Sequence, residues 1–113
     1  MIERMDTFDQ LQALTGGNRA LTRRLLEEVL RSCTDDGQQL LAIAHDDHPR
    51  MVDIAHKIHG AARIVQARAV YQACEALEAS AAQDDLRPLR EALHLALTQL
   101  QAELGQTLAE LDP

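Results

Sequence analysis

The sequence predicts an all-α fold: an antiparallel up-down four-helix bundle with a short N-terminal accessory helix. Three observations predict it. Apolar residues recur every three or four positions through four long stretches, and no stretch alternates with the period of a strand. Turn-forming residues separate these stretches at short intervals, and short links between helices force antiparallel neighbours. The alphabet is rich in Leu, Ala, Gln and Glu, which favour helices. Phe8 and Tyr71 are its only aromatics, and five Gly and three Pro are too few for a turn-rich β fold. At 113 residues the chain has room for one core, so residues 1–113 are expected to form a single domain.

The accessory helix is expected over 6–15. Asp6 or Thr7 caps it, Phe8, Leu11 and Leu14 are its apolar residues, and Thr15-Gly16-Gly17 ends it. Asn18 is the next N-cap. The first bundle helix is expected over 18–45, with Leu21, Leu25, Val29, Cys33, Leu40, Leu41 and Ile43 inward. Gly37 lies inside that stretch, where it is about 1 kcal/mol less favourable than Ala, and Asp35-Asp36-Gly37 is where the helix would bend. His45-Asp46-Asp47-His48-Pro49 is the clearest break. Pro49 suits a first helical position after a cap at His48 or Asp47. The second bundle helix, over 49–66, turns Met51, Ile54, Ile58, Ala62 and Val65 inward, and the third, over 68–83, buries Val70, Cys74, Leu77 and Ala81. Asp84-Asp85 marks the next turn, with Pro88 in the first turn of the last helix. That helix, over 86–111, carries Leu86, Leu89, Leu93, Leu97, Leu100, Leu104, Leu108 and Leu111 as one apolar stripe.

Composition excludes several functions. Eighteen Asp and Glu against eleven Lys and Arg give a net charge of −7, and two aromatics supply no base-stacking platform, so nucleic acid is not an expected partner. No apolar run approaches the roughly 18–20 residues of a membrane span. Cys33 and Cys74 make no disulfide framework and read as small apolar core residues. No charged-then-apolar leader opens the chain, so a reducing cytoplasmic setting is the default expectation; a monomer is the default state.

The second bundle helix carries the chemistry. At 100° per residue, His56 points roughly 160° from the centre of the apolar arc, which makes it a solvent-facing imidazole on a rigid helix. His59, Gly60 and Arg63 follow at spacings of three, four and seven. Gly60 is disfavoured by about 1 kcal/mol relative to Ala, yet a bare backbone beside an exposed His suits close approach by another molecule. Arg50, Lys57, Arg63 and Arg68 against Asp53 alone give this segment a local charge of +3, on a chain that is otherwise −10. Such an island suits a phosphoryl group and an acidic partner surface. A neutral imidazole nitrogen is a nucleophile near neutral pH, provided that its other nitrogen is held by an acceptor that fixes the tautomer. Glu78 is the candidate acceptor. If the turn between the helices lies near Ala67, His56 and Glu78 are each eleven residues from it and so at the same height.

The segment AHKIHGAARIVQARAVYQACEALE, Ala55 to Glu78, resembles the signature of histidine-containing phosphotransfer (HPt) domains. His56, Ile58, Gly60, Ala61, Ala62, Val65, Ala67, Cys74, Leu77 and Glu78 fall in register with it. The GAARIV form is similar to the C-terminal phosphotransfer domains of BvgS-type hybrid sensor histidine kinases. The resemblance implies that His56 accepts a phosphoryl group from a receiver-domain aspartyl phosphate and passes it to a response-regulator receiver. It implies a carrier with no ATP-binding kinase domain and no cofactor of its own, the divalent metal, Mg, being on the partner receiver. It also implies a cytoplasmic module, at the end of a membrane-bound sensor kinase if the chain is part of one. Two positions depart from the pattern. His59 stands where the family often has a phosphate-contacting Lys, so transfer is expected to vary with pH, with Lys57 and Arg63 compensating. Gln66 stands where the family often has Gly, which in a left-handed turn costs roughly 1 kcal/mol.

Two other readings compete. His45 and His48, with Asp46 and Asp47, offer metal donors at a loop, although a structural zinc site closes four ligands in one place. A passive helical interaction module would bind a partner while His56 carries nothing.

Overall fold

A computed structural model describes residues 12–13 and 15–111 of the chain. Four long helices occur among these residues: α1 (Arg19–Ala42), α2 (His48–Ile64), α3 (Arg68–Glu78) and α4 (Arg87–Leu111). No strand occurs among them. Each helix packs mainly on two neighbours, α1 on α2 and α4, and α3 on α2 and α4, which closes the up-down ring. The accessory helix expected over 6–15 lies almost wholly outside the described residues, of which Gln12 and Ala13 are helical.

Local chemistry accounts for most of the boundaries. Asn18 caps α1, its Oδ1 accepting the Leu21 N–H at 3.0 Å. Asp47, rather than His48, caps α2, with Pro49 in the first turn. α1 stops at Ala42 instead of 45, and it is continuous helix through Asp35-Asp36-Gly37. At that point Leu97 of α4 lies close to Gly37, 3.8 Å from where a Cβ would stand.

α3 ends at Glu78, five residues earlier than expected. Two side chains there compete for the backbone. The Ser80 hydroxyl donates to the Leu77 carbonyl at 2.5 Å, and Asp84 Oδ2 accepts the Ala81 N–H at 2.8 Å. The Ser80 carbonyl meets His48 Nε2 at 2.9 Å, tying the α2 start to the end of α3. Ala81 therefore lies past the helix and is only half-buried.

The core joins Leu26, Val29, Cys33 and Leu40 of α1 to Met51, Ile54, Ile58 and Ala62 of α2, Val70, Cys74 and Leu77 of α3, and Leu93, Leu97, Leu100 and Leu104 of α4. The buried face of α1 differs from the expected one. Leu21 and Leu41 are exposed, whereas Thr22, Leu26, Asp36 and Gly37 are buried. The two polar residues are satisfied inside. Thr22 Oγ1 donates to the Asn18 carbonyl at 2.8 Å and lies 2.7 Å from Thr15 Oγ1, and Asp36 meets Lys57. Across the α1–α4 seam, Arg90 donates to the Ile43 carbonyl at 2.9 Å and Gln101 to the Cys33 carbonyl at 3.2 Å.

The turn between α2 and α3 fixes the register of the site. Ala67 N–H bonds the Ala62 carbonyl at 2.9 Å and Gln66 N–H the Arg63 carbonyl at 3.2 Å. This is the paired closure of a Schellman motif, which needs a left-handed residue just past the helix. Gln66 is that residue, with φ at 53°.

Candidate functional site

His56 projects from the middle of α2, its side chain 82 % exposed. Its Nδ1 lies 2.9 Å from Glu78 Oε2, on the last residue of α3. The equal spacing of the two residues from Ala67 thus brings them to one height across the helix pair. A carboxylate only accepts hydrogen bonds, so His56 Nδ1 carries the proton and the lone pair of the neutral ring is on Nε2.

The other Glu78 oxygen is also occupied. Oε1 accepts from His59 Nδ1 at 2.9 Å, so one carboxylate bridges two imidazoles. Burial pushes the Glu78 carboxyl upward, but the hydrogen bonds and charge of His56 and His59 outweigh it, and the net direction is below the ordinary carboxylate value.

His59 does not share the outward face of His56, as its spacing suggested. Its side chain is only 16 % exposed, its ring stacks on Tyr71 with centroids 5.8 Å apart, and its Nε2 lies 4.0 Å from Glu75 Oε2. Lys57 is also directed away from His56. Its Nζ meets Asp36 Oδ1 of α1 at 3.1 Å. The helical wheel accounts for both, since Lys57 and His59 stand about 100° either side of the apolar arc, one facing α1 and the other α3.

Gly60 is exposed, and a Cβ built on it meets nothing within 4 Å, so no packing contact inside the chain requires glycine there. Arg63 and Ile64 are exposed beyond it, while Arg50 pairs with Asp47 at 3.6 Å. The cationic island is therefore smaller than the charge count implies, because Lys57 and Arg50 already have carboxylate partners.

Sequence reasoning missed Tyr71 and Glu75. Glu75 and His59 are each eight residues from Ala67, the same register signal that pairs His56 with Glu78. Of the loop donors, Asp47 caps α2 and His48 holds the Ser80 carbonyl. Among the described residues, no three His, Cys, Asp or Glu side chains converge as a metal site. Cys33 and Cys74 are buried free thiols, pushed up to about 11 and about 12 mainly by that burial, which disfavours the thiolate. No described helix is long and apolar enough to cross a membrane.

Comparison with known proteins adds two findings. The model of the family described as "Hpt domain" matches residues 24–109. The virulence sensor protein BvgS of Bordetella parapertussis and that of Bordetella pertussis are each 40 % identical to this chain over 74 residues, and that of Bordetella bronchiseptica is 39 % identical. The matched stretch is 65 % of this chain but 6 % of each relative. No solved structure matches significantly.

Proposed function

The chain belongs to the Hpt domain family, and from that membership we propose that His56 takes a phosphoryl group from the aspartyl phosphate of a receiver domain and passes it to a response-regulator receiver. The chain is thus a phosphotransfer module of two-component signalling. The observation that carries the finer reading is the exposed His56 ring with Nδ1 held by Glu78, which leaves Nε2 open to an incoming phosphorus.

The step balances simply. The Nε2 lone pair forms the N–P bond as the P–O bond to the aspartyl carboxylate breaks, and that carboxylate leaves with the bonding electrons. The Nδ1 proton stays in place, and the positive charge that develops on the ring faces Glu78. Onward transfer reverses these roles, with a second receiver carboxylate as the nucleophile. Phosphoryl transfer of this kind depends on positioning and on stabilising charge on the transferred oxygens. On this reading the receiver supplies the Asp, the divalent cation (Mg) and most of that stabilisation. The open backbone at Gly60 admits the receiver surface, with exposed Arg63 beside it. The cytoplasm, where receivers act, is the compartment that this reading requires.

Incubation with a panel of phosphorylated receivers tests the proposal. An acid-labile label on the wild-type chain that is lost in His56→Gln is the expected result. Receiver binding without any transfer, or label retained in His56→Gln, would overturn it.

A further inference from the structure

We infer that His59 is a positioning residue for His56, acting through Glu78 rather than by touching phosphate; the inference rests on His56 being the phosphoryl acceptor. The Glu78 carboxylate accepts from His56 Nδ1 on one oxygen and from His59 Nδ1 on the other, both at 2.9 Å. His59 is held in turn from α3 by Tyr71, stacked at 19° between ring planes; Glu75 Oε2, 4.0 Å from Nε2, is beyond hydrogen-bond distance. The ring that faces solvent at this site is His56, while His59 lies beneath the carboxylate.

The physical consequence concerns orientation. The terminal torsion of a glutamate is broad, so a carboxylate held through one oxygen sweeps its lone pairs across a wide arc. Held through both, it keeps Oε2 aimed at His56 Nδ1. That aim fixes the proton on Nδ1 and the lone pair on Nε2, before and during N–P bond formation. An outer partner that orients a reacting imidazole acts in this way without meeting the substrate. His59 has only two side-chain torsions, and while stacked on Tyr71 it cannot swing out to a phosphoryl oxygen on His56.

The test uses the full chain with nitrogen-15-labelled histidine rings, in mildly alkaline buffer without phosphorylation, alongside initial rates of phosphoryl uptake from a phosphorylated receiver. His59→Phe keeps a ring against Tyr71 and removes the donor. The expected result is growth of the Nε2–H tautomer of His56 and a fall in rate of roughly tenfold. His59→Gln retains an N–H donor and is expected to restore both, whereas His59→Leu, which has none, restores neither. An unchanged His56 tautomer in His59→Phe, or a tautomer and rate that His59→Gln fails to restore, would overturn the inference. If His59→Phe fails to fold, Glu78→Gln decides the matter. Its amide has one acceptor oxygen, so the two rings must show unlike tautomers, and two unchanged rings would refute the shared clamp. A wild-type chain that takes no phosphoryl group from any receiver would sink the phosphotransfer reading, while the tautomer spectra would still judge the clamp.

Discussion

Lys57 of α2 and Asp36 of α1 form an ion pair at 3.1 Å between unequal environments, the lysine side chain 60 % exposed and the aspartate 2 %. Among the described residues, Asp36 also accepts a long hydrogen bond from Ser32 Oγ, at 3.4 Å. Removing a partner from a buried charge is more damaging than losing an exposed pair, because the remaining charge stays desolvated. Exposure of the lysine moderates the loss, since water can reach its end of the pair. Lys57→Ala is therefore expected to destabilise the bundle by about 1–2 kcal/mol, read as a lower urea midpoint. Phosphoryl transfer, measured on the folded fraction, should change little. A large rate loss at unchanged stability would show that Lys57 leaves Asp36 to serve His56.

Gln66 carries the left-handed turn on which the His56–Glu78 register depends. A side chain in that region costs roughly 1 kcal/mol more than glycine. Gln66→Gly should thus raise stability by about that amount, with the His56 tautomer unchanged. Gln66→Val should lower it, because a β-branched residue tolerates positive φ poorly. Thermal unfolding of the two variants against wild type checks both directions.

Two helix-interior glycines offer a matched comparison. An added Cβ on Gly37 would lie 3.5 Å from Gln101 Nε2 and 3.8 Å from Leu97 Cδ1, ordinary contact distances, and one on Gly60 would meet open space. Alanine fits at both positions and gains helix propensity, so each substitution should stabilise by up to about 1 kcal/mol. Their effects on transfer should diverge. Gly37→Ala is expected to leave the rate alone, whereas Gly60→Ala, if Gly60 has the proposed docking role, puts a methyl group in the receiver's path and is expected to lower it. Equal transfer rates for the two variants would remove the docking role of Gly60.

The parts of the molecule legible in the sequence are those set by local rules. The cap at Asn18, the break before Pro49 and the apolar arc of α2 follow from residue type and spacing. The pairing of His56 with Glu78 follows because two positions equidistant from a short turn must meet. What escaped reading was set by contacts across helices. α1 hides Thr22 and Asp36 because hydrogen bonds to Asn18 and Lys57 satisfy them, so apolar spacing alone chose a face that includes exposed Leu21 and Leu41. α3 stops at Glu78 because Ser80 and Asp84 take over its last hydrogen bonds and His48 holds the Ser80 carbonyl. His59 was placed by its spacing from His56, but its direction was decided by Glu78 and Tyr71 on the neighbouring helix.

Glu78 also makes the fold sensitive to acid in a defined direction. Burial pushes its carboxyl up, yet the hydrogen bonds and charge of His56 and His59 prevail, so in the folded chain it titrates below the ordinary value of 4.5. A group whose folded value is depressed binds protons more readily in the unfolded chain, and protonation therefore favours unfolding. Its stabilising contribution is complete above the unfolded value and disappears as pH falls through the lower folded value. Wild type should accordingly be more stable than Glu78→Gln at neutral pH, and the gap should close as pH drops below about 4.5. Urea unfolding at a series of pH values measures that gap directly. A difference that stays constant into acid would mean that the carboxylate's charge contributes nothing and that only its shape and acceptor count matter at the junction of α2 and α3.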